Sequence, residues 1–497
     1  MRRIKVFLFN GIFLCIISLI LRVVAFTFNI YVINKIGAEA LGAFGLIMSV
    51  YMLSITVATS GVNLATVRLV VEENTKNSEY GNKYLIRKCL NYGLTLGTIS
   101  CIILIIFSPY ISQIALHDKV PSYLFYIIAI SLPAISCSSA INGYFSGLRK
   151  EAKNGIIKIF EEFVKIISTI YFFNFFKNLN LEKACLSLVL GETISEIASF
   201  LLSFFLYTME KRKYIKHYNG EKYKQKILKI ALPVAVTSYV RSGLSSLKHI
   251  LIPLRLEKSG MNYENAISEY GKINGMAFPV LMFPEVIINS FSVLLIPEFS
   301  YYYEKKWTER ISITISRIIK ISAIFSIGVI GVFLCMAKEI SFVIYNNLEI
   351  ATYIKILCPL ILFMYIDGIV DSILKGLDKQ VAVMKCNVLD LFVSILCIYF
   401  LLPIYGSKGY LIVIFVSELL NSGMSLMQLK SETKFKIDVL EWVLKPIVGI
   451  LIANILFKII FNRHMSGVIE LILKIIVFLL IYFFIVCVIE NKNKRII

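Results

Sequence analysis

The sequence predicts an all-α integral membrane protein with about fourteen transmembrane helices, from its composition and its hydropathy pattern. Of its 497 residues, 58% are hydrophobic and 17% are charged, and the mean hydropathy is +0.77. A water-soluble chain of this composition would expose large apolar patches. Apolar windows of roughly 20 residues, each long enough to cross a bilayer, recur from end to end. They lack the alternation of barrel strands, so helices are expected to satisfy the backbone in lipid.

Fourteen apolar windows can be placed, which puts both termini on the same side of the membrane. Their approximate bounds are 7–33, 41–68, 89–112, 121–147, 155–176, 183–208, 227–253, 271–298, 311–337, 351–374, 380–404, 409–429, 442–461 and 467–490. Lys and Arg concentrate in the loops that follow even-numbered spans, above all in 209–228. The positive-inside rule therefore predicts that these loops and both termini are cytoplasmic. The N-terminus resembles a signal peptide, but its apolar run has no small-residue cleavage site, so we expect a retained first helix.

Several function classes are disfavoured. The net charge of +20 does not indicate nucleic-acid binding, because the basic residues lie in short loops between apolar windows. The ten cysteines are scattered without a C-x-x-C pair, which predicts no disulfide framework. The chain has no H-E-x-x-H motif and no nucleotide-binding glycine loop. We therefore expect no catalytic residues, no metal and no cofactor, with an ion gradient, the membrane potential or substrate flux as the energy source.

Matching segments indicate an internal repeat. Residues 147–150, after the fourth span, read Gly-Leu-Arg-Lys, and residues 376–379, after the tenth, read Gly-Leu-Asp-Lys. Arg22 in the first span and Arg241 in the seventh are separated by a similar number of residues as these two segments. Each of these two spans is also followed by a glycine-bearing segment. The repeat predicts an N-terminal six-helix lobe (1–208), a cytoplasmic linker (209–226), a C-terminal six-helix lobe (227–430), and helices 13 and 14 with a tail (431–497). Such repeats place the substrate site between lobes near mid-membrane.

Charged side chains within the spans are the best candidates for a functional site, because a charge at the bilayer centre costs about 2.5–3.5 kcal/mol on insertion scales. Polar residues recur at helical spacing on the first, seventh and eighth spans, which predicts cavity walls. The cationic candidates are Arg22, Arg241 and Lys248, and the polar candidates are Ser18, Asn29, Ser245, Glu285 and Asn289. The alternative is that the two arginines pair with buried acids and only stabilise the helix bundle.

Other charges have weaker claims to a role in binding. Arg68, at the cytoplasmic end of the second span, fits an ordinary interface anchor as well as a substrate contact. Glu192 and Glu196 have no cation on their own helix, so Lys165 or a bound cation is expected to serve them, and a proton or coupling-ion role stays open. Helical spacing also predicts a Glu161–Lys165 pair, and Asp367 with Asp371 and Lys375; structural ion pairs are the simpler reading of these.

Several segments resemble the stage V sporulation protein B family, which groups with polysaccharide and lipid II flippases and with multidrug and toxin extrusion proteins. The resemblance is carried by 269–279 (Glu-Tyr-Gly-Lys-Ile-Asn-Gly-Met-Ala-Phe-Pro), 283–284, 295–298, 42–65, 142–147 and 374–377 with the helix that follows. Two departures, Asn63 in place of a usual proline and Arg-Lys-Glu-Ala-Lys-Asn over 149–154 in place of a methionine-and-proline run, indicate a divergent member.

The resemblance implies two six-helix lobes in a pseudo-twofold, extrusion-protein-like arrangement, plus a C-terminal helix pair that guides a lipid tail. It also implies a cationic central cavity for a polyprenyl diphosphate sugar. We therefore expect a flippase for a lipid-linked sugar or peptidoglycan precursor in the cell membrane, serving spore cortex or cell-wall polysaccharide synthesis. Its expected partners are that substrate and membrane lipids, with a functional link to cell-wall synthases and no nucleic acid.

Three other functions are less consistent with the sequence. A cation-coupled multidrug exporter of the same fold should have an acidic first helix for its cationic substrates, whereas the first span here carries Arg22. A membrane-embedded glycosyltransferase or polymerase would need a sizeable extracytoplasmic loop, and the outer loops are short, the largest being 255–270. A purely structural scaffold is disfavoured because buried cations on matched helices would be costly without a use.

Overall fold

The architecture comes from a computed structural model of the chain. It describes the backbone of residues 2–75, 79–176, 178–210, 221–433, 435, 437–460 and 467–494. Side chains are described over the same ranges except 2–16, 18, 79–83, 221–222, 224, 293–294 and 490–494. Most of the predicted linker 209–226 lies outside the described residues, although helix already begins at Glu221.

The described residues form helices and connecting turns, without strands. In the first half these are α1 (Arg2–Thr59), α2 (Val62–Thr75), α3 (Glu79–Leu116), α4 (Tyr123–Ala129), α5 (Leu132–Gly147), α6 (Glu151–Phe175), α7 (Leu181–Thr208), α8 (Glu221–Glu257) and α9 (Tyr263–Tyr270). In the second half they are α10 (Phe278–Met282), α11 (Glu285–Glu304), α12 (Thr308–Tyr345), α13 (Glu349–Leu357), α14 (Ile361–Gly376), α15 (Gln380–Thr433), α16 (Lys445–Ile460) and α17 (Val468–Lys494). The predicted all-α class is confirmed.

Ten helices within the described residues are long and apolar enough to cross a membrane, or eleven if α9 to α11, bent by 62°, form one broken span. Two of them contain a backbone break, at Gly37 in α1 (φ 78°) and at Gly406 in α15 (φ 54°). Each of the four parts is long enough to span. The 25-residue α6 has spanning length but carries several charges. Counting these parts and α6 separately would give fourteen, and that number stays a prediction.

The contacts divide the chain into two compact units. The first comprises Met1–Asn29 and Lys35–Gly271, and the second comprises Ile30–Asn34 and Lys272–Ile497. Helix α8 therefore belongs to the first unit by its contacts, although the predicted second lobe begins near residue 227. The lobe limits and the pseudo-twofold arrangement stay predictions.

In the first unit, buried side chains from α2, α3, α5 and the first turns of α8 form one apolar cluster. Its members include Val62, Ala65, Leu69, Val70, Leu85, Ile86, Ala140, Ile141, Tyr144, Phe145, Ile227 and Ala231. Lipid is as apolar as these side chains, so close packing and interhelical hydrogen bonds hold such helices together. One such bond runs from Ser136 Oγ in α5 to the carbonyl of Ala58 at 2.6 Å.

The predicted repeat is visible where α5 and α14 end. After α5, the amide of Lys150 donates to the carbonyl of Phe145 (2.8 Å) around Arg149, whose φ is 58°. After α14, the corresponding amide and carbonyl are also 2.8 Å apart, around Asp378 with a φ of 60°. Two non-glycine residues at matching repeat positions thus adopt the left-handed conformation that L-residues disfavour. The Gly-Leu-x-Lys match is therefore a shared turn and not a chance likeness.

The glycine that opens each turn also has a matching role. A Cβ on Gly147 would lie 2.8 Å from the side chain of Val70 on α2, and a Cβ on Gly376 would lie 2.9 Å from Phe299 on α11. Each glycine thus lets its helix approach the corresponding neighbour within its own unit. Small residues at such crossings are the usual means of close helix packing in membranes.

A lysine–glutamate bond follows each turn. In the first unit, Glu210 Oε1 lies 2.6 Å from Lys150 Nζ and 2.7 Å from Lys153 Nζ. In the second unit, Lys379 Nζ lies 3.0 Å from Glu432 Oε1. Burial alone would raise the pKa of Glu210, but the hydrogen bonds and charges of the two lysines lower it below its ordinary value.

We expect Glu210→Gln to lower the free energy of unfolding by about 1–2 kcal/mol at neutral pH, because charge-assisted hydrogen bonds are lost. A lowered carboxyl pKa contributes stability above the unfolded-state pKa, near 4.3 for Glu, and that contribution disappears as pH falls through the folded-state pKa. Denaturant titrations from pH 7 down to pH 3 should therefore converge for wild type and variant. Glu432→Gln, which removes the single lysine contact of the matching pair, serves as the control with a smaller loss. Equal losses would contradict the asymmetry of the two sites.

Candidate functional site

The two arginines predicted to bind substrate, Arg22 and Arg241, are exposed and have no ion-pair partner among the described residues. Arg22 lies on α1 and Arg241 on α8, and neither has a hydrogen bond within the described part of the chain. Five residues earlier, Ile17 is buried, where it would contact a Cβ on Gly155 of α6. The alternative that these arginines pair with buried acids therefore finds no partner among the described residues. Their role in binding stays a prediction.

Helix α8 is fixed beside the second part of α1 by polar contacts next to Arg241. Thr56 Oγ1 donates to Ser242 Oγ (3.1 Å), Tyr239 Oη donates to the carbonyl of Val57 (3.3 Å), and one turn further Ser246 Oγ donates to the carbonyl of Ser49 (2.6 Å). Arg241 and Ser242 are adjacent, so their side chains leave the helix about 100° apart. The face of α8 next to Arg241 thus contacts α1, and these contacts fix the position of the helix that carries Arg241.

The remaining candidates of the first unit are less distinctive. Asn29, Ser245 and Lys248 are half-buried, and Asn29 and Lys248 each have an interaction partner. Ser18 lies in α1, but its side chain is outside the described residues. Arg68 on α2 is exposed and has no ion pair within the described residues.

Glu285 and Asn289 form a pair inside the second unit. Asn289 Nδ2 donates to Glu285 Oε1 at 2.9 Å, and Glu285 is only 6% exposed. Both side chains lie against Gly368 of α14, where an added Cβ would be 3.2–3.3 Å from their oxygens. The pair spans one turn of α11, as its spacing predicted. Its two side chains bond to each other, so these two atoms are not free to bind a substrate.

Facing charged stripes on α6 and α7 form a network. Lys165 Nζ lies 2.6 Å from Glu192 Oε2, and Lys158 Nζ lies 3.2 Å from Glu161 Oε1. Ser199 Oγ also donates to Glu161 Oε2 at 2.8 Å. The expectation that Lys165 serves Glu192 is confirmed, whereas the predicted Glu161–Lys165 pair is wrong, because the carboxylate on the facing helix is the one in contact.

This network holds more carboxylates than ammonium groups. Glu162 and Glu196 are half-buried and have no hydrogen bond or ion pair within the described residues. Glu196 follows Glu192 by one turn of α7, on the same face. Carboxylates in excess of the neighbouring lysines are costly in a low-dielectric environment, so the network is chemically able to take up protons or a cation.

Sequence reasoning missed two polar clusters in the second unit. Ser417 Oγ donates to Asp390 Oδ1 at 2.7 Å, and Asn421 Nδ2 donates to Asp367 Oδ2 at 2.8 Å. The i, i+4 spacing of Ser417 and Asn421 is a signal that could have indicated a polar face. The predicted Asp371–Lys375 contact is confirmed at 3.8 Å.

A buried lysine in the last helix was also missed. Lys474 on α17 is 2% exposed, and its Nζ lies 3.2 Å from Glu339 on α12 and 3.8 Å from Glu470. The contact joins the C-terminal helix pair to α12 within the second unit. In the part of the chain that the structure describes, no group of three or more His, Cys, Asp or Glu is arranged to hold a metal ion.

The fold and the polar residues on its helices indicate the class of protein. Within the described residues, ten or eleven helices are long and apolar enough to cross a membrane, and the chain is a multi-pass membrane protein. Repeated helix–turn units with polar residues on the spans are typical of secondary transporters.

The comparisons place the chain more narrowly. It belongs to the polysaccharide biosynthesis protein family, whose profile matches residues 7–303. Stage V sporulation protein B of Bacillus subtilis (strain 168) is 24% identical over 399 residues, covering 78% of this chain and 76% of that protein. The predicted family resemblance is confirmed.

Solved structures confirm the fold. A lipid II flippase MurJ structure, in an inward closed conformation, superposes with a TM-score of 0.74 at 13% identity, over 97% of this chain and 100% of that one. An inward-facing multidrug resistance transporter of the MATE family and MOP superfamily gives a TM-score of 0.67 at 13% identity, over 84% and 98%. At these identities the likeness shows the transporter fold alone, and the substrate must be argued from the residues.

Proposed function

We propose that the protein is a flippase that translocates a lipid-linked polyprenyl diphosphate sugar or peptidoglycan precursor across the cytoplasmic membrane by alternating access. The observation that carries this proposal is the pair of exposed arginines within spanning helices, Arg22 and Arg241, which have no ion pair in the described chain. A diphosphate head cannot cross hydrocarbon unaided, and the guanidinium fork matches phosphate oxygens. The substrate crosses without covalent change, so the protein acts as a transporter and not as an enzyme.

The family supports the substrate class. The family is described by its role in polysaccharide biosynthesis, and the MurJ structure with a similar fold is described as a lipid II flippase. The relation to stage V sporulation protein B supports a role in spore cortex or cell-wall polysaccharide synthesis. The use of such precursors supports a functional link to cell-wall synthases. The basic loops support cytoplasmic positions for both termini.

We expect an ion gradient, the membrane potential or substrate flux as the energy source, since the sequence has no nucleotide-binding glycine loop. Glu162 and Glu196, which have no hydrogen bond or ion pair within the described residues, support a proton or cation step in the first unit. Imposing a pH gradient, a sodium gradient and a membrane potential separately on proteoliposomes identifies the driving force. A rate that none of them alters would rule out coupling and leave substrate flux.

The function is tested by reconstituting the full chain in proteoliposomes with either of two fluorescent probes, lipid II or an undecaprenyl-diphosphate sugar. We expect the protein to increase the fraction of at least one probe that a membrane-impermeant reductant quenches. Protein-free vesicles and vesicles with heat-denatured protein are the controls. An unchanged fraction for both probes would refute the proposal.

The second candidate is a cation-coupled multidrug exporter, which is favoured only by the fold shared with the MATE transporter. Exposed arginines in a transport pathway would repel cationic drugs. Efflux of ethidium from the same vesicles, without flipping of either lipid probe, would establish the exporter instead.

A further inference from the structure

A cavity of about 480 Å³ opens at the C-terminal end of α8, at the opposite end of that helix from the basic loop 209–228. The cavity belongs to the first unit, and the residues that line it do not include Arg22 or Arg241. Its lining residues are His117, Leu251, Leu254, Arg255, Glu257 and Lys258.

One wall is an amphiphilic face of α8. Leu251, Leu254, Arg255 and Lys258 follow the i, i+3, i+4, i+7 spacing of one helix face. The two leucines come first and the two cations lie at the helix end. Lys258 is exposed and has no ion pair within the described residues, while Arg255 is half-buried. Along this face an apolar surface is followed by positive charge. A lipid has the matching order, because its apolar chain leads to a negatively charged phosphate.

The other wall is a short loop that follows α3. His117 and Asp118 are successive non-glycine residues with φ of 48° and 58°. Such conformations cost of order 1–3 kcal/mol each and persist where surrounding contacts determine them. Here His117 Nε2 lies 3.3 Å from Glu257 Oε2, and its ring lies 4.7 Å from that of Tyr263. The strained loop thus holds an imidazole against the cationic end of α8.

The charges of the cavity favour an anion. Arg255 and Lys258 contribute two positive charges, and the single acid, Glu257, already contacts His117 through Oε2. Guanidinium and ammonium donors at one cavity suit phosphate oxygens.

We propose that this cavity binds the phosphate of a membrane lipid. Arg255 and Lys258 contact the phosphate at the end of α8, His117 holds the neighbouring Glu257, and the leucines contact the first part of the lipid chain. Only the assignment of the site to one leaflet of the membrane rests on the proposed function. With both termini cytoplasmic, the C-terminal end of α8 faces the outer leaflet. A phosphate site there would hold the lipid-linked product after it crosses, or a phospholipid that replaces it.

Native mass spectrometry of the purified full chain tests the site, with undecaprenyl phosphate, phosphatidylglycerol and inorganic phosphate added separately. We expect both lipids to be retained, and Arg255→Gln/Lys258→Gln to reduce retention by at least about tenfold, as loss of two charge-assisted bonds implies. The charge-matched control is Lys305→Gln/Lys306→Gln, which removes two exposed lysines after α11 and should leave retention unchanged. Stronger retention of one lipid identifies the source of the phosphate.

Unchanged retention in the double variant would overturn the proposal, and so would displacement of either lipid by equimolar inorganic phosphate, because the leucines would then contribute nothing. If the double variant does not fold, the single Lys258→Gln variant, at an exposed helix end, should still lower retention by about threefold. The measurement does not depend on transport. A protein that retains lipid phosphate but flips no probe would keep this site and refute the proposed function, and the converse result would refute the site alone.

Discussion

Replacing Arg22 or Arg241 by alanine should reduce flipping of a lipid-linked diphosphate by about a hundredfold or more while leaving the fold intact. A hydrogen bond to a charged group is worth about 1.5–3 kcal/mol, so loss of two such bonds per arginine accounts for this factor. The fold should survive because neither arginine has an ion-pair partner within the described residues, so no carboxylate is left unpaired. The measurement is the initial flipping rate in proteoliposomes, with thermal unfolding in detergent as the check on folding.

Two further variants sharpen this result. Arg22→Lys and Arg241→Lys keep the charge but lose the planar fork, so intermediate rates are expected. Arg68→Ala, at another exposed arginine, separates an interface anchor from a substrate contact, since an anchor should tolerate the change. Normal flipping in both alanine variants would remove these arginines from the pathway. Loss of flipping together with a large drop in unfolding temperature would restore the alternative of a structural role.

The sequence predicted the features that depend on the chain's local pattern. Hydropathy located the spans, and the Gly-Leu-x-Lys match anticipated a pair of turns whose backbone proves the same, with Arg149 and Asp378 both left-handed. Arg22 and Arg241 stood out because a charge within an apolar window is costly wherever the helix points. Each of these inferences depends only on the residues of a single segment and not on which segments pack together.

The sequence was less informative where a partner lies on another helix. Spacing paired Lys165 with Glu161 on its own helix, whereas the structure places it 2.6 Å from Glu192 on α7. Lys474 meets Glu339, 135 residues away, and no pattern within α17 indicates that contact. Which of several equally spaced partners a side chain meets depends on the rotation of both helices, and helix rotation follows from the packing of the whole bundle.

Lys165→Met should destabilise the protein more than most single substitutions, by about 3–5 kcal/mol. The change leaves Glu192, which is 8% exposed, without its cation in a network that already holds an excess of carboxylates. Removing one partner of a buried ion pair carries a cost of this size, because the remaining charge stays desolvated. The free energy of unfolding can be measured by denaturant titration in mixed micelles.

The double variant Lys165→Met/Glu192→Leu should recover most of the lost stability, since replacing both members of a buried pair by apolar residues is often neutral. Lys158→Met is the matched control on the same face of α6. Its lysine side chain is 64% exposed in the contact with Glu161, so the loss should stay below about 1 kcal/mol. If Lys165→Met cost no more than this control, the Lys165–Glu192 bond would behave as a surface pair. A double variant as unstable as Lys165→Met alone would instead assign the cost to Glu162 and Glu196, the carboxylates that depend on the same lysine for compensation.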